Sequence, residues 1–406
     1  MAASLDWLVS VDDHVLEPPH VWETRLPAKF RDAGPRIRTD DNGEAWFFEG
    51  KRMPTTGLAA AAGKKVEDFS PMPVTYAEMR AGCYDPAARV EDMNRAGVLA
   101  SLCFPSFPRF CGQTFTEADD KELGLACVKA YNDWMIEEWC GTAPGRLIPM
   151  IILPLWDPQL AVAEIERTAA LGARAIAFSE NPYLLGLPSI HEPTRYWEPV
   201  VAAAAAAEMP LCMHLGSSSQ LPSTSPDMPM LGVIALTPVA STAAACIDWL
   251  FSNYLPKYPT LKLCLSEGGI GWIPYVLERC DHVVEVHRGW AAKGDFGGDL
   301  TTGATGERTE HGGLNLDTLP SQLFREHIFG CFIEDPFGVS AIDTIGVDNV
   351  MIETDYPHTD STWPNCIEVA HKELAGLSDD VKLKVLQTNA ARVFRLELPE
   401  PPAQRG

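Results

Sequence analysis

Eight short runs of apolar, often β-branched residues punctuate the chain: WLVSVD at 7–12, VLASLCF at 98–104, LIPMIIL at 147–153, ARAIAFS at 173–179, MPLCMH at 209–214, LKLCLSE at 261–267, IFGCFI at 328–333 and NVMIETD at 349–355. They are near-continuous rather than alternating, the pattern of strands covered on both faces. Helix signals fill the gaps. Residues 116–140 open on a Thr cap followed by acids, and 157–171, 193–208, 239–253, 270–290 and 363–375 carry further helical patterns. A last helix begins at Ser378 and runs to about Phe394. Strand–helix alternation predicts a parallel sheet under helices, and eight such units predict an α/β fold of the (β/α)8 TIM-barrel class. No GxGxxG follows the first strand and no GxxxxGK[ST] occurs anywhere, which speaks against an open nucleotide-binding sheet.

Two stretches break the alternation. RIRTDDNGEAWFFEGKRM at 36–53 reads as a β-hairpin with an Asn-Gly turn inserted after the first strand. Residues 289–316 are rich in Gly and Thr without periodicity, and are either a lid over the barrel mouth or a tolerated surface insertion. The chain thus reads as one barrel domain, 1–406, with insertions at about 30–80 and 289–320, and with PEPPAQRG as a frayed tail.

Composition narrows the partners more than the fold. The 46% hydrophobic and 21% charged residues are those of a globular protein, and 406 residues bury a core large enough to need no structural metal. With 55 acidic against 32 basic residues the formal charge is −23, which argues against nucleic-acid and anionic-membrane partners. Eleven cysteines lie scattered without a CxxC pair, several inside apolar runs such as Cys103, Cys212 and Cys264. They read as buried thiols in a reducing compartment. MAASLDWLVSVDDH has no basic and apolar leader pattern, and no uninterrupted apolar stretch approaches membrane-spanning length, so a cytoplasmic location is expected.

Barrel enzymes carry their chemistry at the C-terminal ends of the strands. Here the first strand ends in Asp12-Asp13-His14, and alternation places Asp12 and His14 on one side and Asp13 on the other. The fifth ends in His214, the sixth in Glu267, and the eighth in Asp355 with His358 three residues on. Any one of these is a cap or a satisfied partly buried group in most proteins. Four strand ends together are not, because unpaired buried carboxylates are costly without a cation. Nitrogen and oxygen donors without thiolate suit zinc, manganese or iron at a reactive site. Glu267 would bridge to a second metal if His287, on the following helix, joined it; His282 is the less favoured partner. His358 would bind substrate or move a proton, or else pack on Trp363. Glu17 and Trp22 follow the first motif and would line the pocket, and Arg52, Arg109 and Arg288 are candidates to meet a substrate carboxylate.

The opening SVDDHVLEPPHVW, MHLG after the fifth strand, SEGGIGWIPYVLER, the ETDYPH turn and the terminal NAARVF together resemble the amidohydrolase superfamily from about residue 6 to residue 394. The branch they resemble most is the amidohydrolase-related group that includes aminocarboxymuconate-semialdehyde and γ-resorcylate decarboxylases. The resemblance implies that Asp12 and His14 fill the first-strand ligand pair, that His214 is the strand-five ligand, and that Asp355 binds metal or handles a proton. Decarboxylases of that branch carry a proton-donating His before the glycines after strand six, where this chain has Glu267. Relatives are often dimers, and the 36–53 hairpin would serve an interface or cover an edge.

Residues and resemblance together lead to a metal-dependent hydrolase or non-oxidative decarboxylase of a small carboxylated molecule, with Asp355, Glu267 and His358 handling protons. The alternative is a dinuclear iron or manganese monooxygenase on the same barrel, held by Asp12, His14, His214, Glu267, His287 and Asp355.

Overall fold

A computed structural model of the chain describes residues 4–291 and 317–402. The strands are β1 (Leu8–Val15), β2 (Arg36–Asp40), β3 (Gly43–Phe48), β4 (Lys51–Met53), β5 (Val98–Pro105), β6 (Leu147–Ile148), β7 (Met150–Ile151), β8 (Ala175–Phe178), β9 (Leu211–His214), β10 (Leu263–Ser266), β11 (Ile328–Phe332) and β12 (Val350–Ile352). All eight runs expected as barrel strands are strands. The run at 147–153 is split by Pro149, which has no N–H to give a ladder. Residues before it pair with β5 and residues after it pair with β8, so the proline marks the handover between neighbours.

Every pairing around the barrel is parallel, in the orders β1-β5-β6 and β7-β8-β9-β10-β11-β12. The segment leaving β12 returns to β1 through two backbone hydrogen bonds, Asp355 N–H to Asp12 C=O at 2.9 Å and His14 N–H to Tyr356 C=O at 2.6 Å. These bonds bring the first and last strands side by side at the end that carries the ligand-type residues.

Helices cover the strands as their apolar faces require. Pro158–Ala170 begins on Asp157, whose carboxylate accepts from the N–H groups of Gln159 and Leu160. The helix expected from Thr116 instead starts at Lys121, with Asp120 as its cap. Thr116 is spent in the short turn Gln113–Thr116, where its hydroxyl bonds back to Gly112 C=O. The helix expected at 239–253 spans Met230–Leu250, longer at its start because a wide turn at Pro238–Ala243 absorbs the missing proline N–H. It is long and apolar enough to cross a membrane, yet Val233, Ser241, Cys246, Trp249 and Leu250 are buried against the protein. Trp22, Trp134, Trp139, Trp197 and Trp249 are fully buried in the shell between helices and strands.

The insertion at 36–53 is a three-stranded antiparallel meander rather than a hairpin. Its first turn is Asp41-Asn42, since Gly43 already pairs with Asp40. Gly43 at φ +93° and Gly50 at φ +76° supply the left-handed conformations that the two reversals need. All eleven cysteines are buried and unpaired. The Gly- and Thr-rich stretch read as a lid or insertion lies outside the described residues beyond its first three positions, which finish the helix Ile273–Ala291.

Candidate metal centre

The end of β1 is held by residues on both sides of its pleat. Asp13 faces outward and accepts from Ser10 Oγ at 3.0 Å, Thr354 Oγ1 at 2.6 Å, the Tyr356 N–H at 3.0 Å and the Ser101 hydroxyl. It thereby ties β1 to β5 and to the segment after β12. Behind it the buried Arg89 donates to His14 C=O and to Gly82 C=O, and its guanidinium lies 4.3 Å from the Tyr356 ring. With the backbone so pinned, Asp12 and His14 project together to the other side, as alternation requires.

There they meet the ends of β9 and β12. His14 Nε2 stands 3.1 Å from Asp355 Oδ1 and 3.6 Å from Asp12 Oδ1. His214 Nε2 stands 3.6 Å from Asp12 Oδ2 and 2.8 Å from Glu267 Oε2. His358 Nδ1 is 3.3 Å from Asp355 Oδ1, and its ring stacks on His14 at 3.5 Å rather than on Trp363. Two sets of ligand atoms, from Asp12, His14 and His214 and from His14, Asp355 and His358, each lie within 4.8 Å of one another.

Most of these atoms are close but not hydrogen-bonded: both oxygens of Asp12, both of Asp355, both nitrogens of His14 and Nε2 of His358 are buried without a hydrogen-bond partner, and Nε2 of His214 has only the Glu267 carboxylate beside it. Such groups cost roughly 1–3 kcal/mol each when left unsatisfied, so a cluster of them calls for a ligand. The donor set fits a divalent cation: three imidazoles and two carboxylates, no thiolate, and a second contact that fixes one tautomer. His214 Nδ1 lies 2.6 Å from Leu215 C=O, so Nδ1 carries a proton and Nε2 is the nitrogen turned to the centre.

The electrostatics agree. Burial, then the carboxylates of Glu353, Glu267, Asp355 and Asp13, push Asp12 well above the usual carboxylate range. Burial, then His358 and His214, holds His14 well below the usual imidazole range. For His214 burial works against the charged form, but the Glu267 carboxylate and the Leu215 carbonyl outweigh it and raise its pKa. A bound cation would favour ionised carboxylates and neutral imidazoles, the forms that serve as ligands.

Glu267 and Asp355 both have left-handed backbones, φ +57° and +51°. Side chains resist that conformation, and strain of this kind concentrates where function needs a particular side-chain aim. Glu353 supports it: its buried carboxylate accepts the Glu267 N–H at 3.1 and 3.2 Å. Nothing in the sequence singles out Glu353, because only its contact with the β10 end distinguishes it from an ordinary strand residue.

The other candidates are placed elsewhere. His287 lies half-buried on the helix Ile273–Ala291, 6.0 Å ring to ring from His282, and joins neither ligand set. Strand ends converge on the barrel axis, whereas a helix packs outside it, so Glu267 and His287 are not brought together as a second-metal pair among the described residues. Trp22 belongs to the core, its indole N–H bonded to Cys127 C=O. Arg52 pairs with Asp40 at 2.9 Å, Arg109 with Glu117 at 3.4 Å, and Arg288 is exposed on its helix.

Glu17 is a clamp. Its carboxylate accepts the N–H groups of Ser106 at 3.0 Å and Phe107 at 2.8 Å, fastening the loop after β5 to the turn after β1. Burial pushes its pKa from 4.5 up to about 7, against the lowering effect of those N–H groups. The folded protein therefore keeps a proton that the unfolded chain has released. This stabilisation is complete below about pH 4.5 and is lost as the pH rises to about 7, a change of about 3 kcal/mol at 1.36 kcal/mol per unit. Thermal midpoints of Glu17→Gln are expected to depend less on pH across that window than those of the wild type; an unchanged slope would show that other groups set it.

Comparison with known proteins agrees with this architecture. The amidohydrolase family profile matches residues 20–396. A γ-resorcylate decarboxylase from Rhizobium sp. (strain MTP-10005) is 24% identical over 297 residues, covering 68% of this chain and 79% of that protein. An amidohydrolase structure from Mycobacterium avium subsp. paratuberculosis superposes with a TM-score of 0.69 at 19% identity, covering 96% of this chain and 97% of that one. A 5-carboxyvanillate decarboxylase structure from Novosphingobium aromaticivorans, complexed with manganese and 4-hydroxy-3-methoxy-5-nitrobenzoic acid, superposes with a TM-score of 0.62 at 18% identity, covering 98% of each chain. With the family profile spanning nearly the whole length and the ligand-type residues gathered at the strand ends, the chain is an enzyme of the amidohydrolase family.

Proposed function

We propose that this chain is a divalent-metal-dependent decarboxylase that removes CO2, without an oxidant, from a small aromatic carboxylate. The observation that carries the reading is the group of buried ligand atoms of Asp12, His14, His214 and Asp355, close together yet without hydrogen bonds. Its support among relatives is that a γ-resorcylate decarboxylase and a manganese-bound 5-carboxyvanillate decarboxylase share its family or fold. The dinuclear oxygenase alternative draws no support from these relatives.

Manganese or zinc held by Asp12, His14, His214 and Asp355 would supply a Lewis acid for the substrate carboxylate and an adjacent ring oxygen. The proton is the chain's own task. By the family resemblance Glu267 stands where decarboxylases of this branch carry a histidine, and a carboxylate beside a cation is suited to accept a proton rather than give one. His358 takes the donor role. Asp355, 3.3 Å from its Nδ1, orients the ring and leaves buried Nε2 as the donor. As the bond to the carboxylate breaks, its electron pair remains on the ring carbon, CO2 leaves, and that carbon takes the proton from Nε2. The partly exposed ring then recovers a proton from solvent. The same Glu267 favours hydrolysis as the second reading, with the carboxylate as the base that deprotonates water.

Metal-loaded protein given γ-resorcylate, 5-carboxyvanillate and other hydroxylated benzoates is expected to release one CO2 per substrate consumed, with no oxygen uptake, and to stop on chelation. His358→Gln is expected to retain metal while losing about 10²–10⁴ in kcat, the usual share of a general acid. Turnover that consumes oxygen, or adds water without releasing CO2, would replace this reading.

A further inference from the structure

The loop between β5 and Lys121 carries an aromatic ring to the metal centre. The Phe110 ring centroid lies 4.1 Å from that of His214, 5.2 Å from His14 and 6.2 Å from His358. No other phenylalanine approaches these imidazoles so closely among the described residues: Phe104, in β5 itself, lies 5.2 Å from His214 and 6.0 Å from His14. Phe104 is fully buried, whereas Phe110 is only half-buried, so part of its surface remains open beside the ligands.

The position of Phe110 is built rather than incidental. Its neighbour Arg109 is left-handed, φ +59°, and sends its guanidinium outward to Glu117. That reversal sets adjacent side chains on opposite sides of the loop, the charged one away from the centre and the apolar one over it. Glu17 clamps the start of the loop through Ser106 and Phe107. At its far end Gln113 Nε2 donates to Ser217 C=O at 2.9 Å and to the Ser219 hydroxyl, in the segment just after His214. Between these anchors Phe107 packs 4.5 Å from Trp46 and 5.0 Å from Trp22. The loop is thus tied to the two strands that supply His14 and His214.

Resting on the decarboxylase reading, we infer that Phe110 is a specificity-determining residue, the wall against which the ring of an aromatic carboxylate lies while its oxygens meet the metal. The chemistry around it points the same way. Arg52 and Arg109 are paired with Asp40 and Glu117, and Arg288 is exposed on its helix, so ring recognition falls to an apolar face. Offset or edge contacts between aromatic rings add to the burial of their surfaces, and a wall held at both ends loses little entropy on binding.

The test is equilibrium binding to manganese-loaded protein, with no turnover needed. Two probes are compared, 4-hydroxy-3-methoxy-5-nitrobenzoic acid, which is aromatic, and oxalate, which chelates the metal without a ring. Phe110→Ala is expected to weaken the aromatic probe by roughly 10- to 100-fold and oxalate by less than about 3-fold, with Phe110→Tyr restoring the aromatic probe and Phe110→Leu falling between. Equal affinity of wild type and Phe110→Ala for the aromatic probe overturns the assignment while leaving the metal reading intact. Equal losses for both probes also overturn it, because Phe110 would then be supporting the ligand histidines and not the ligand. A wild type that takes up manganese and oxalate but not the aromatic probe brings down the aromatic substrate class and this inference with it. One that takes up no manganese brings down the decarboxylase reading itself.

Discussion

His214→Ala is expected to yield a folded protein that neither holds the metal nor turns over substrate. The imidazole ends β9 with Nδ1 committed to Leu215 C=O, so Nε2 is the one nitrogen it can offer to a metal. Losing an outer partner of a metal ligand costs about 10- to 100-fold in affinity; losing the ligand itself is expected to cost more than about 100-fold. The fold should survive, because β9 pairs through its backbone with β10 at all four residues and with β8 at three, and the substitution leaves these in place. Elemental analysis after dialysis, with a thermal scan of the same sample, checks both halves. Full metal content in the variant would remove His214 from the ligand set.

Asp12→Asn is expected to invert the order of stability depending on metal. In metal-free protein, Asp12 is a fully buried carboxylate with no hydrogen-bond partner on either oxygen, facing the charges of Glu353, Glu267, Asp355 and Asp13. An amide of the same shape has no charge to bury and brings two N–H donors among those carboxylates, and a gain of roughly 1–3 kcal/mol is expected, the usual penalty for an unsatisfied buried group. With metal present the order reverses. A ligand at about 1,000 times its dissociation constant stabilises the native state by about 4 kcal/mol, and the variant, lacking one anionic donor, should receive little of that. Thermal midpoints with and without manganese decide the matter: curves that cross support the assignment, and equal metal stabilisation of both proteins would mean that Asp12 is not a ligand. Activity should be lost in either case. Crossing curves would mark the site as a place where the fold carries an electrostatic cost that a bound cation offsets.

Much of this site was legible in the chain because strand parity is a local property. Asp12 and His14 stand two residues apart, and a two-residue period puts them on one side whatever the rest of the molecule does. The same holds for a residue that finishes an apolar run, such as His214. Glu267 and Asp355 were found by the same rule, though their left-handed backbones were not foreseeable from it. His287 shows where the rule ends. A helix offers a new face every residue or two, and which face meets the barrel depends on packing against distant strands.

The sequence by itself determined the eight strands, their covered parallel arrangement and the ligand types at their ends, since these follow from apolar runs, their spacing and side-chain alternation. Only the tertiary structure decided that His358 stacks on His14, that Glu353 stands behind Glu267, and that Phe110 rather than an arginine faces the centre. Each of these depends on contacts between segments far apart in the chain, such as Glu17 with Ser106 and Phe107 across about 90 positions. A loop has no internal period from which its course can be read. It goes where its distant partners hold it, and here they hold an apolar ring against a cluster of ligand-type side chains.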